Sequence, residues 1–165
     1  MNAYSTLTHR LTDYLQTELQ SLGYAHAEAR RGIWKPGALQ PFERYLVFVA
    51  PATADPWSER RISTKEVAYV FRSEIFLLVK NYDDVHAIFG DTAPDLGVFQ
   101  LMHDVKALLR STDLGGLLDR TYRETEGGSG FDTGAMTGFD SGTHGWVHRA
   151  KLVYVAQTHA FCHPS

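Results

Sequence analysis

The sequence predicts an α+β domain: a mainly antiparallel sheet, two principal helices packed on one of its faces, and a long glycine-rich hairpin loop. Three observations carry this. Two stretches repeat apolar residues every three or four positions, and several others alternate or run apolar with β-branched and aromatic side chains. The resulting order of helix, strands, helix, strands has no regular βαβ alternation. No repeat at solenoid spacing and no shift of composition divides the chain, so residues 1–165 are expected to form a single domain with a short C-terminal tail.

The first helix is expected from Tyr4 to Leu22, where Tyr4, Leu7, Leu11, Tyr14, Leu15, Leu19 and Leu22 fall on one stripe. Asn2 or Ser5 suits its start, and Gly23 stands where a left-handed stop belongs. "GIWKPG" and "YLVFVAP" (Tyr45–Pro51) then read as short strands, followed by "ATADPWSERR" as a loop. From Ile62 to Lys80 the chain alternates, with Val67, Tyr69, Phe71, Ile75, Leu77 and Val79 on one side, predicting a long strand with one buried face. "NYDDVHAIFGD" turns the chain into a second helix from about Pro94 to Arg110, carrying Leu96, Phe99, Met102, Val105, Leu108 and Leu109. Leu117–Glu126 is a weaker strand and Gly145–Phe161 a strong one, with "CHPS" fraying at the end.

Composition narrows the function classes. Hydrophobic residues at 44% and charged residues at 21% are ordinary for a globular chain. A formal net charge of −3, from 16 Lys plus Arg against 19 Asp plus Glu, gives no basic footprint for tight nucleic-acid binding. The start "MNAYSTLTHR" lacks the basic and apolar regions of a secretory leader, and no apolar run is long enough to span a bilayer, so no membrane partner is expected and the chain reads as cytosolic when made. Cys162, the single cysteine, has no internal disulfide partner.

The stretch "GFDTGAMTGFDSGTHG" (130–145) holds Asp132 in Asp-Thr-Gly and Asp140 in Asp-Ser-Gly, tripeptides that look like the catalytic motifs of aspartic proteases. That chemistry needs two carboxylates sharing one proton, carried on apolar strands. Here glycines precede each aspartate and the partner is eight residues away. "GGSGFD" also opens like a calcium nonapeptide, but Gly134 fills the motif's apolar position and the second unit begins after eight residues. His144 and His148 have the spacing of a helical zinc pair, yet on the strand expected there they stand ~13 Å apart. His159, Cys162 and His163 form a loose terminal cluster without a fourth ligand, and the histidines read as solvated. No cofactor or metal follows from any of these.

The remaining reading is a hairpin tip. Seven glycines between 127 and 145 make regular structure costly, and loops beyond ~12–15 residues in compact domains are usually functional or disordered. From Glu124 to Gly145 the chain has Glu124, Glu126, Asp132 and Asp140 and neither Lys nor Arg. It is expected to be a flexible acidic loop whose Phe131, Met136 and Phe139 dock on a partner.

Taken together, the N-terminal helix, "GIWKPGALQPFERYLVFVAP", the strand "EVAYVFRSEIFLLVKNYDD", the helix "APDLGVFQLMHDVKALLR" and the closing hairpin resemble the tail-terminator, or tail-completion, proteins of long-tailed bacteriophages. The likeness is one of element order across nearly the whole chain, and other small neck and tail proteins use similar units. It implies a ring, commonly a hexamer, at the head-proximal end of the tail tube. Its partners would be further copies of itself, the tail-tube protein and the head connector, with DNA passing through the lumen unbound and with no catalytic residues. The acidic loop would then face the lumen or clasp a neighbour. A ring needs two different complementary surfaces on each subunit, and Trp57, Phe131, Phe139 and Trp146 are the aromatic candidates.

Overall fold

The computed structural model describes residues 3–80, 89–92, 95–119, 137–140, 147–159 and 161–162. Its elements are α1 (Ala3–Ser21), β1 (Glu28–Arg31), a 3-10 turn (Pro36–Ala38), β2 (Tyr45–Pro51), β3 (Trp57–Arg61), β4 (Glu66–Lys80), β5 (Asp91–Thr92), β6 (Asp95–Leu96), α2 (Val98–Ser111), β7 (Thr137–Asp140), β8 (Val147–Gln157) and β9 (Phe161–Cys162). The fold is α+β, with a mainly antiparallel sheet and both helices against one face.

Helix α1 forms because Leu7, Leu11, Leu15 and Leu19 recur at helical spacing, and all four are buried. Thr8 and Thr12 lie on the same stripe and satisfy their hydroxyls on the preceding turn, at Tyr4 O (3.0 Å) and Thr8 O (2.6 Å). The helix stops as expected at Gly23, whose φ is +93°. Gly23 N donates to Gln20 O and Tyr24 N to Leu19 O, the paired bonds of a Schellman terminus.

The sheet is organised around β4. On one of its edges lie both β2, paired over residues 73–79, and β3, paired over residues 67–71. These two run in the same direction and are one strand interrupted by a bulge. Ala52 N donates to Arg72 O at 3.2 Å and Arg72 N to Pro56 O at 2.9 Å, so Thr53–Asp55 loop out opposite a single residue. "WSERR" is therefore a strand and not the expected loop. Its charges suit an edge, and the ring of Trp57 stacks on Tyr69 across the ladder.

On the other edge of β4, β8 pairs over residues 70–80 and β9 over residues 66–67, again nearly collinear. The break comes at Thr158, whose N–H donates to Tyr69 O while its hydroxyl accepts from Tyr69 N. Strand β7 pairs with the start of β8, with a register shift between Thr137 and Phe139. It lies inside the span expected to be loop, despite its glycine; the rest of 127–145 lies outside the described residues. Of the expected strand Leu117–Glu126, the described part contributes one bridge, Leu118 to Thr158.

Strand β1 adds to β2 in parallel. The expected strand at "GIWKPG" is displaced: the paired residues precede it, and Gly32–Arg44 instead crosses the second sheet face to reach β2. Trp34, Leu39 and Phe42 on this crossover cover Leu46, Phe48, Phe76 and Leu78. Trp34 stacks on Phe76 with centroids 4.0 Å apart. The expectation of one buried face on β4 thus fails in its second half, where alternate residues are buried on both sides. Alpha helix α2 begins four residues later than expected because β5 and β6 form a small ladder up to Gly97, which sits at the helix start without a side-chain cap. Leu101, Val105 and Leu109 join the α1 leucines over Val47, Ile75, Leu77, Leu152 and Tyr154 in the main core.

Candidate functional site

Of the residues singled out from sequence, Trp57 is placed most clearly. It opens β3, is half-buried, stacks on Tyr69 (centroids 4.8 Å, planes 18° apart) and receives Tyr4 edge-on at 5.9 Å. Tyr4 also leans on Phe71 at 5.2 Å. The first turn of α1 and the hairpin of β3 with β4 thus build an aromatic corner, because three strand residues on the helix-facing side meet the helix's first tyrosine. Alternation in the sequence puts Tyr69 and Phe71 on one face, whereas the helical period places Tyr4 only on the α1 stripe.

Open cavities of about 410 and 310 Å³ flank Tyr4. The larger is lined by Ala3, Tyr4, Trp57 and Tyr69. The smaller is bounded by Ser5, Thr8, Arg31, Ile33, Val49 and Pro51 as well as Tyr4. Arg31 fixes its wall: Nη1 donates to Ser5 O at 2.7 Å, and to Ser5 Oγ and Thr8 Oγ1 at 3.1 Å each. Burial pushes the Tyr4 phenol above its ordinary pKa, partly opposed by the Ser73 hydroxyl, although the two fall short of a well-formed hydrogen bond. A neutral phenol, stacked rings and one guanidinium suit contact with apolar or planar groups of a partner.

Phe139 and Asp140 belong to β7, paired with His148 and Val147. Asp140 therefore ends a strand, which the glycine before Phe139 had argued against. Glu124, Glu126, Phe131, Asp132, Met136 and Trp146 lie outside the described residues, as do His144 and His163. His148 is not solvated as expected: it is 8% exposed, on the helix-facing side of β8 with Ala150 and Leu152. His159 is exposed, and Cys162, in β9, pairs with Glu66 of β4. Among the described residues no group of three His, Cys, Asp or Glu converges as metal ligands would, and no helix is long and apolar enough to cross a membrane.

The opposite sheet face carries a feature that the sequence pattern alone does not reveal. Arg149 lies over the Trp34 ring at 5.7 Å and Lys80 over the Phe42 ring at 5.8 Å, so cations flank the crossover. They continue along the sheet as Lys151, Arg72 and Arg60. The signal was present in the alternation of β4 and β8 but invisible in the net charge, because these residues are adjacent only across strands. Compared with known proteins, the chain matches no family model and no curated protein.

Proposed function

We propose that the chain is a non-enzymatic virion structural protein, a subunit of a ring at the head-proximal end of a phage tail that terminates the tail tube and joins it to the head connector. One observation supports this reading above others: the order α1, long hairpin around β4, α2, closing strand β8, which is the order on which the likeness to tail-terminator proteins rests. The sheet also presents two unlike faces, one under helices and one carrying cations around a loop crossover. A subunit with unlike faces has the asymmetry that head-to-tail ring closure requires.

The aromatic corner around Trp57 is then a contact surface for a neighbouring subunit or the tube. The test is assembly of the full chain: sedimentation and negative-stain imaging of the purified protein, alone and with tail-tube protein. The expected result is closed rings or capped tubes. A strictly monomeric chain that binds neither tube nor connector overturns the reading, and cleavage of peptides at acidic pH that Asp132→Asn and Asp140→Asn both abolish would replace it with a peptidase.

A further inference from the structure

Strand β1 closes one side of the described sheet, with β2 as its neighbour. Gly32 N donates to Val49 O at 3.1 Å, which fixes the alternation: Glu28, Arg30 and Gly32 turn backbone groups toward β2, while Ala29 and Arg31 turn theirs outward. Helix α1 covers the first part of this edge. Gln16 Oε1 accepts from Ala29 N at 3.1 Å, and Gln20 Nε2 donates to Ala27 O at 3.2 Å. Beyond them the cover ends: Ala29 C=O and the N–H and C=O of Arg31 meet no partner among the described residues. Adjacent open groups on a sheet edge are a template for a further strand.

A cavity lies on each side of that opening. On the helix side, about 310 Å³ is bounded by Tyr4, Ile33, Val49 and Pro51, with Arg31 Nη1 held by the neutral oxygens of Ser5 and Thr8. On the crossover side, about 270 Å³ is bounded by Leu39, Phe48, Arg30 and Lys35. Neither lining includes Asp or Glu. Arg30 is compensated by Glu28 at 2.6 Å and by the carbonyls of Gln40 and Pro41. Lys35 is exposed and has neither an ion pair nor a hydrogen bond among the described residues, so its charge is left for a partner.

We propose that the Arg31 edge of β1 binds an extended segment of another protein in which apolar and acidic residues alternate. The added strand bonds to Arg31 and to Ala29 C=O, and its successive side chains fall on opposite faces. Its apolar residues enter the helix-side cavity, and its carboxylates meet Lys35 on the crossover side. A second copy of β1 is a poor occupant. In antiparallel pairing, the registers that join open groups set Arg30 opposite Arg30 or Arg31 opposite Arg31, and like charges directly across a ladder repel. A lone subunit presents the same edge as a ring subunit, so peptide binding and ring closure stand or fall separately.

The probe is a fluorescein-labelled peptide of alternating valine and glutamate, titrated against the full chain by anisotropy. It should bind, and the valine and lysine counterpart should bind at least about tenfold more weakly. In an added strand only every second N–H of the peptide reaches the edge. N-methylation of all the valines, or of all the glutamates, should therefore act unequally: one abolishes binding and the other leaves it within about twofold. These comparisons leave the protein unaltered. Lys35→Glu should weaken the valine and glutamate peptide about fivefold and strengthen the valine and lysine one.

Absence of binding overturns the proposal. So does binding that both methylated peptides keep, or that both lose, since neither is the behaviour of a strand ladder. Equal affinity for the glutamate and lysine peptides, or indifference to Lys35→Glu, would show that the edge does not read an acidic partner. Dissociation of a wild-type oligomer by the peptide would assign the edge to a second copy and overturn the choice of partner. A monomeric chain that binds the peptide keeps this proposal and rejects the ring, whereas rings that ignore the peptide do the reverse.

Discussion

Tyr24 Oη donates a 2.6 Å hydrogen bond to Asp104 Oδ2, tying the residue just past the end of α1 to the middle of α2. Gln100 Nε2 holds the other carboxylate oxygen at 3.0 Å, and the Tyr24 ring meets Tyr45 of the sheet edge-on at 5.1 Å. One buried phenol therefore joins both helices and the sheet. Tyr24→Phe keeps the ring and loses the charged hydrogen bond, so it should cost about 2 kcal/mol in urea unfolding. Asp104→Ala strands the buried hydroxyl and should cost about as much or more. The double variant should cost less than the sum of the two, and strict additivity would show that the contact is not formed in solution.

The same hydroxyl makes stability fall at high pH. Burial, then the bond and charge of Asp104, hold the Tyr24 phenol far above its ordinary value of 10.0. An unfolded tyrosine releases its proton near pH 10, whereas the folded one keeps it. Above that pH the folded state binds more protons than the unfolded state, so unfolding becomes easier as pH rises; below it the contribution is fully present. The melting temperature of the wild type should drop between pH 9.5 and pH 11. Tyr24→Phe should flatten that drop while starting from a lower value, and an unchanged slope would contradict the assignment.

Trp34 should be the main anchor of the crossover. It stacks on Phe76, meets Phe48 edge-on at 5.4 Å and lies under Arg149. Because it is half-buried, Trp34→Ala should cost roughly 2–3 kcal/mol, below the range for a full core tryptophan. Trp34→Phe should recover much of this. A cost near zero, read from the urea midpoint, would mean that the crossover does not hold the second face of the sheet.

How much of this was legible in the sequence follows from where the information lies. The α1 stripe and its Gly23 stop could be read directly, because both are set within one turn of helix. Strands β2, β4 and β8 could be read because alternation and β-branched residues mark a pleated, half-buried surface. The strand "WSERR" could not, since it is polar and becomes a strand only by pairing with residues 67–71. Ile33 and Trp34 looked like strand residues, and the structure uses them on a crossover whose apolar side chains cover a sheet face. The start of α2 was misplaced because Leu96 carries the helical period but pairs instead in the β5–β6 ladder. His148 looked solvated because a histidine on an alternating strand has no sequence signal for which face it takes. The aromatic corner was half legible: Tyr69 and Phe71 share a face by alternation, but Tyr4 reaches them only through the packing of α1.

The bulge between β2 and β3 yields a deletion whose outcome the register fixes. Pro51 pairs with Ser73 and Trp57 with Phe71, and between them Ala52 and Pro56 share Arg72 as their backbone partner. Removing residues 53–56 leaves Ala52 to make both bonds to Arg72, its N–H donating to the carbonyl and its carbonyl accepting from the N–H. Trp57 then follows at the next rung with its side chain still on the helix side, since the alternation is unbroken. The deletion discards Asp55 at a φ of +48°, together with the Thr53 to Glu74 and Arg72 to Asp55 hydrogen bonds at 3.3 and 3.2 Å, which are long and exposed. The shortened chain should therefore fold, with a melting temperature within a few degrees of the wild type, corresponding to a net change of about 1 kcal/mol or less. Retained circular dichroism and unaltered packing of Trp57, read by its near-ultraviolet signal, are the measurements. A chain that fails to fold would mean that β2 and β3 are two separately registered strands and not one strand with a bulge.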